Sequence, residues 1–158
     1  MHFTGEHDCK LDAKGRMLLP ARLKARLPEG EQTLVVLRGF EPCLVLYPQS
    51  AWQKIYDQVA GLNEFTAENR LLQRSFLRGA AECELDGQGR LLIPRSMAAY
   101  AGLAADVLAV GVANRIELWE PGQYNQYLTT DAAALSAAAE KILGDQATRD
   151  FNFPLHRN

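Results

Sequence analysis

Short alternating apolar runs, broken by turn residues, occupy two separate stretches of the chain. Each stretch opens with a strand ending at Leu11 or Leu85. Asp-x-x-Gly follows, and this is turn chemistry: the Asp side chain bonds its own backbone and the Gly accepts a positive φ. A second strand comes next, residues 16–19 or 90–93, so each pair is expected to close a hairpin with a glycine bulge. Pro20 and Pro94 stop these strands and suit the first position of a helix, predicted over 21–27 and 95–101. Two further strands complete each stretch, 33–37 with 43–47 and 107–110 with 116–119.

The two stretches are copies of one unit. Laid over Gly79–Pro94, Gly5–Pro20 matches at eight of sixteen positions: the two Gly pairs, Cys, Leu, Asp, Arg, Leu and Pro. After a gap of two, Val35-Val36-Leu37-Arg38-Gly39 falls over Val107-Leu108-Ala109-Val110-Gly111, and Leu44-Val45-Leu46-Tyr47 over Ile116-Glu117-Leu118-Trp119. The unit is strand-strand-helix-strand-strand, about 45 residues long, and too small to bury a stable core by itself. Its hairpins also leave edges that need partners. The expected fold is therefore α+β, with two ββαββ repeats interleaved about a pseudo-two-fold axis into one β-barrel-like core.

Helices fill the remainder. Ser50-Ala51-Trp52-Gln53 has the pattern of a capping box, and Trp52, Ile55, Tyr56, Val59 and Leu62 follow helical spacing up to Gly61. A second helix is predicted over 66–77. Asp131 can cap a third over 132–143 that Gly144 ends, and 151–158 reads as a frayed or partner-docked tail. The organisation is then residues 5–52 for the first repeat, 53–78 for connecting helices, 79–124 for the second repeat, and 125–158 for the C-terminal helix and tail.

Charge becomes informative once it is divided by the repeat. The whole chain carries −2, which by itself argues against a nucleic-acid partner. Residues 10–26, however, hold Lys10, Lys14, Arg16, Arg22, Lys24 and Arg26 against Asp12 alone, a net of +5, while the matching residues 84–100 sum to zero. The rest of the chain outside the first window is −7. One hairpin and helix thus stand out as basic on an acidic body. A two-stranded ribbon fits the DNA major groove; Arg16 can bond guanine O6 and N7 together, while Lys14 and the helix cations hold phosphates. A single such loop would bind weakly, so several copies on one oligomer are expected.

Other chemistry finds little support. Asp12, Gly15, Asp86 and Gly89 are what a tight turn needs. Read instead as a proton-sharing aspartic dyad, Asp12 and Asp86 lack the small hydroxyl residue and Gly that should follow; Asp12-Ala13-Lys14 and Asp86-Gly87-Gln88 stand there. His2, His7 and Cys9 lack a zinc spacing, and Cys9, Cys43 and Cys83 form no closed disulfide set, which fits a reducing cytoplasm. No enzyme activity, cofactor, metal, membrane association or small-molecule substrate is called for. No secretory signal or membrane-length apolar run is read.

Leu11-Asp12-Ala13-Lys14-Gly15-Arg16 with Leu18-Leu19-Pro20 and Leu85-Asp86-Gly87-Gln88-Gly89-Arg90 with Leu92-Ile93-Pro94 resemble the paired motifs of the MraZ family. So do Leu44-Val45-Leu46-Tyr47-Pro48 with Trp52, Arg70-Leu71-Leu72-Gln73-Arg74, and Ile116-Glu117-Leu118-Trp119. The resemblance covers roughly 1–143. It implies two AbrB-like swapped-hairpin half-domains in a bacterial, nucleoid-associated transcriptional regulator. Such a protein would form a homo-oligomeric ring on double-stranded DNA. It would bind short direct repeats in the promoter of the division and cell-wall gene cluster, its own gene included, as a repressor. The DNA-reading loop falls on 12–16, with Arg16 and Lys14 as main contacts and Lys10, Arg22 and Lys24 beside them. In the second loop Arg90 is kept but Gln88 replaces a Lys, so that loop is expected mainly to complete the fold. The alternative is a non-DNA oligomeric interaction or antitoxin-like module of the same fold.

Overall fold

The computed structural model describes residues 2–128 and 131–150, with side chains placed over 2–128 and 131–144. The first repeat contains β1 (Glu6–Lys10), β2 (Arg16–Leu18), α1 (Ala21–Lys24), β3 (Thr33–Arg38) and β4 (Leu44–Pro48). Two helices follow, α2 (Gln49–Ala60) and α3 (Ala67–Leu77). The second repeat contains β5 (Ala81–Glu84), β6 (Arg90–Leu92), α4 (Arg95–Tyr100), β7 (Asp106–Val112) and β8 (Arg115–Trp119), and is followed by α5 (Pro121–Tyr127) and α6 (Ala132–Asp150). The chain divides into two compact units, Met1–Tyr124 and Asn125–Asn158.

In the first unit six strands make one antiparallel sheet in the order β1-β7-β8-β4-β3-β5, and β2 pairs with β6 as a separate ribbon. Exchanging the repeats, β1 for β5 and so on, reads the same order from the other end. The pseudo-two-fold axis passes where equivalent residues face each other: Val45 opposite Glu117 between β4 and β8, and Met17 opposite Leu91 in the ribbon. The expected interleaving is therefore present, and β3 with β4 and β7 with β8 form local hairpins, but β1 with β2 and β5 with β6 do not pair as ladders. β1 pairs with β7 and β5 with β3, each in the other repeat; the ends of β1 and β2 are joined by an isolated bridge, Leu11 to Met17, and by the bond from the Asp12 amide to the Arg16 carbonyl at 2.9 Å. Length explains the exchange. β2 has three residues and cannot satisfy a five-residue β1, whereas β7 offers seven. An unmatched backbone group in the core would otherwise lose its hydrogen bond.

The repeats also align one residue differently along β3 and β7 than their sequences suggest. Val36 lies opposite Leu46 as Ala109 lies opposite Leu118, and Leu34 meets Cys83 as Val107 meets Cys9. Val107 therefore corresponds to Leu34, not Val35. A one-residue slip moves a strand's side chains to the opposite face. Leu34 and Val36 lie in the main core, while Val35 packs with Leu37 and Trp52 in a separate cluster.

That main core draws on both repeats: Met17, Leu19, Leu23, Leu34 and Val36 from one, Leu91, Ile93, Met97, Val107 and Ala109 from the other, all essentially inaccessible to water. Burying each contributes on the order of 1.5–3 kcal/mol for the larger aliphatic side chains. On the outer side of β3, Trp52 of α2 stacks on Phe76 of α3 with ring centres 5.9 Å apart. The helix starts partly differ from expectation. α2 begins at Gln49 behind Pro48, and Glu31 Oε1, not Ser50, accepts an amide there, that of Ser50 at 3.2 Å. Thr66 caps α3 through the Asn69 amide, also at 3.2 Å. In the second unit Asp131 accepts from the Ala133 amide at 3.0 Å as expected, but α6 continues through Gly144 to Asp150. Residues 151–158, the expected tail, lie outside the described residues. No described helix is long and apolar enough to cross a membrane.

Candidate nucleic-acid interface

Each Asp-x-x-Gly-Arg loop is closed by its own aspartate. Asp12 Oδ1 accepts from the amides of Lys14 (2.9 Å) and Arg16 (2.8 Å), and its Oδ2 accepts from Arg16 Nε at 2.8 Å. Asp86 repeats the arrangement with the Gln88 and Arg90 amides, both at 2.9 Å, and with Arg90 Nε at 2.8 Å. Gly15 and Gly89 donate back to the carbonyls of Asp12 and Asp86, with φ of 83° and 78°. An L side chain rarely adopts that conformation. The Arg16 amide, then the Arg16 guanidinium and Lys14 amide, hold the Asp12 carboxyl below the usual carboxylate range. Asp86 is lowered in the same way, by the Arg90 and Gln88 amides and then the Arg90 guanidinium. Two carboxyls that share a proton would instead need one raised.

The loops are then clipped to the opposite repeat. Ile93 donates its amide to the Gly15 carbonyl at 2.8 Å, and Leu19 donates to the Gly89 carbonyl at 3.0 Å. The short helices cross over as well. Lys24 of α1 lies against the second loop, its Nζ 3.2 Å from where a Cβ on Gly89 would be. Arg95, at the start of α4, lines a groove with residues 11–15 of the first loop. The second loop, uncharged at Gln88, thus acquires a cation from the first repeat. Adjacency of the repeats in space, not in sequence, produces this, so composition by window did not reveal it.

Side chains alternate across the ribbon. Met17 and Leu91 are fully buried beneath it, so Arg16, Leu18, Arg90 and Leu92 share its outward face. Arg16 and Arg90 keep about a third of their side-chain surface exposed, at 32% and 29%. Each is fixed through Nε, which leaves two terminal amino groups for an external acceptor. Lys14, Arg22, Lys24 and Arg26 are exposed. Lys10 is exposed too, but its ammonium pairs with Asp106 across β1 and β7. His7, considered above with His2 and Cys9, has Nε2 3.3 Å from the Thr4 carbonyl, and Cys9 is buried. Among the described residues no three His, Cys, Asp or Glu gather at one point.

Two copies of one ββαββ unit, trading strands about an axis and carrying matched Asp-Arg loops, define a two-repeat swapped-hairpin protein. The family described as "MraZ protein, putative antitoxin-like" matches this chain twice, over 2–75 and 76–146. The chain belongs to the MraZ family. It is 52% identical over 142 residues to a transcriptional regulator MraZ of Cytophaga hutchinsonii, covering 89% of this chain and 94% of that protein. Similar regulators from Carboxydothermus hydrogenoformans and Heliobacterium modesticaldum are 38% and 36% identical over 141 residues, each covering 89% of this chain and 96% of the relative. The family is not one of enzymes, so the catalytic reading of Asp12 and Asp86 falls on this ground as well as on their bonding.

Proposed function

We propose that the protein is a DNA-binding transcriptional regulator that reads DNA with the β2–β6 ribbon and its two flanking loops. One observation carries this reading: Arg16 and Arg90 stand on the same ribbon face, each oriented by an aspartate through Nε. A guanidinium held in this way keeps two parallel donors for guanine O6 and N7, the commonest specific contact in the major groove. Lys14 supplies phosphate contacts around the first loop and Lys24 around the second, while Arg22 adds a cation beside Gly5 and His7. Lys10 contributes least, because Asp106 occupies it. Both loops take part, since Arg90 repeats the geometry of Arg16 and Lys24 stands where Gln88 provides no charge.

The relatives' name supports regulation of transcription, and the family resemblance supports the finer picture. In that picture a ring of chains binds short direct repeats upstream of a division and cell-wall gene cluster, its own gene included, and represses it at the nucleoid. Multivalency would raise affinity without new contacts. The test is a gel shift on the gene's own upstream DNA, with footprinting and the protein's mass in solution alongside. Arg16→Ala and Arg90→Ala should each weaken binding, and the parent's affinity should fall steeply with salt. Parent-like binding by Arg16→Ala would refute the loop assignment. The family description "antitoxin-like" favours a second reading, an oligomeric module that binds a protein. Tight, salt-insensitive binding to a protein, without DNA binding, would establish that reading instead.

A further inference from the structure

The ribbon's outward face carries two side chains that the proposed function has not used. Leu18 and Leu92 are 58% and 60% exposed, although their strands otherwise bury large apolar groups. Each is directly opposite an arginine in the ribbon register: Arg16 faces Leu92 and Arg90 faces Leu18. Directly opposed residues in an antiparallel pair have Cβ atoms about 4.5–5.5 Å apart. Both leucines also lie against the loops. Leu92 Cδ1 is 3.8 Å from where a Cβ on Gly15 would stand, and Leu18 Cδ1 is 3.8 Å from the same point on Gly89. The face is therefore two arginine–leucine pairs related by the pseudo-two-fold axis, each contributed half by one repeat and half by the other.

We propose that Leu18 and Leu92 are specificity-determining residues that contact the C5-methyl group of thymine beside the guanine each arginine reads. The inference rests on the DNA-binding reading given above. In the major groove thymine alone presents a methyl group, and apolar side chains recognise it. Adjacent base pairs are stacked about 3.4 Å apart. A leucine within about 5 Å of an arginine therefore reaches a neighbouring base pair while the guanidinium holds its guanine. Packing an exposed leucine against a methyl group removes apolar surface of both from water, which is favourable. The recognised sequence should accordingly contain thymine within a base pair or two of guanine, in both halves of the site.

Uracil provides the test, because it lacks only that methyl. The full chain is titrated by fluorescence anisotropy against a duplex of its own upstream DNA, and against the same duplex with uracil in place of thymine. The parent should bind the uracil duplex more weakly, by about fourfold for each methyl contacted, the loss expected for one buried carbon. Leu18→Ala with Leu92→Ala should bind both duplexes alike. Because both side chains are exposed, that variant should keep the parent's urea midpoint. Equal affinity of the parent for the two duplexes overturns the proposal while leaving the DNA-binding reading intact. Retained discrimination by the double variant overturns it too, including the case in which only the protein's mass in solution changes and the leucines prove to join copies of this chain. Absence of binding to either duplex would refute the DNA-binding reading itself.

Discussion

Replacing Gly15 by alanine probes how one repeat grips the other. Gly15 has φ of 83°, and a left-handed conformation costs a residue bearing a Cβ about 1–2 kcal/mol. Alanine also restricts the unfolded chain, which offsets about 0.4–1 kcal/mol. Gly30 measures that balance alone, since its φ is 79° and a Cβ there meets nothing within 4 Å. Gly30→Ala should cost roughly 1 kcal/mol or less. At Gly15 the added methyl stands 3.2 Å from the Ile93 carbonyl oxygen, which is backbone and cannot swing away. The Ile93 amide is itself bonded to the Gly15 carbonyl at 2.8 Å, so relief comes only by stretching this cross-repeat bond. A weakened hydrogen bond adds about 0.5–1.5 kcal/mol. Gly89→Ala should resemble Gly30→Ala, because its close neighbour, at 3.2 Å, is the mobile end of Lys24. Urea unfolding at one protein concentration, followed by tryptophan fluorescence, measures the series. With a slope of about 2 kcal/mol/M, each kcal/mol moves the midpoint by about 0.5 M. Gly30→Ala as damaging as Gly15→Ala, or Gly89→Ala more so, would refute the grip.

Three further outcomes are expected. The lowered Asp12 pKa means that its contribution to stability is present above the ordinary value of 3.8 and is lost as pH falls through the lower native value; Asp12→Asn should therefore differ from the parent in urea midpoint at neutral pH and converge with it in strong acid. A constant difference across that range would show that the carboxylate charge is irrelevant. Met17→Ala and Leu91→Ala should each cost about 2–5 kcal/mol, and similar amounts, because the two residues are equivalent and fully buried at the axis. Markedly unequal losses would argue against that symmetry. Burial pushes the Cys9 thiol to about 11 and Cys43 to about 12, and raises Cys83, so iodoacetamide at mildly alkaline pH should label them only after unfolding. Labelling of Cys9 in the native protein at the unfolded rate would contradict its packing.

Much of this architecture is legible because the chain states it twice. Asp12 and Gly15 identify their turn by local chemistry, and their recurrence at Asp86 and Gly89 identifies the repeat. Strand partners are less legible: β1 reads Glu-His-Asp-Cys-Lys with Cys9 alone buried, and nothing in that stretch favours β7 over β2. The slip between Val35 and Leu34 arises for the same reason, since a run of four buried residues in β3 carries no clear alternation. At Ser50 a local pattern was outcompeted by Glu31, nineteen residues away. The charge window groups Lys24 with Lys14 and Arg16, and only the folded chain brings α1 to Gly89.

A sheet order that reads alike from either end is the order of a symmetric dimer whose two subunits have been joined by α2 and α3. Fusion removes the constraint that both halves carry one sequence. In a dimer of identical chains, any cation added to one loop appears in the other, and the charge on the two sides must rise together. Here the first copy holds +5 and its counterpart none, while the axis through Met17 and Leu91 survives. The joined chain is thereby free to differ between its two sides, and it does so where Lys14 has Gln88 as its counterpart, even though Lys24 crosses to the second loop. That freedom lets the two sides diverge without symmetry being lost from the core.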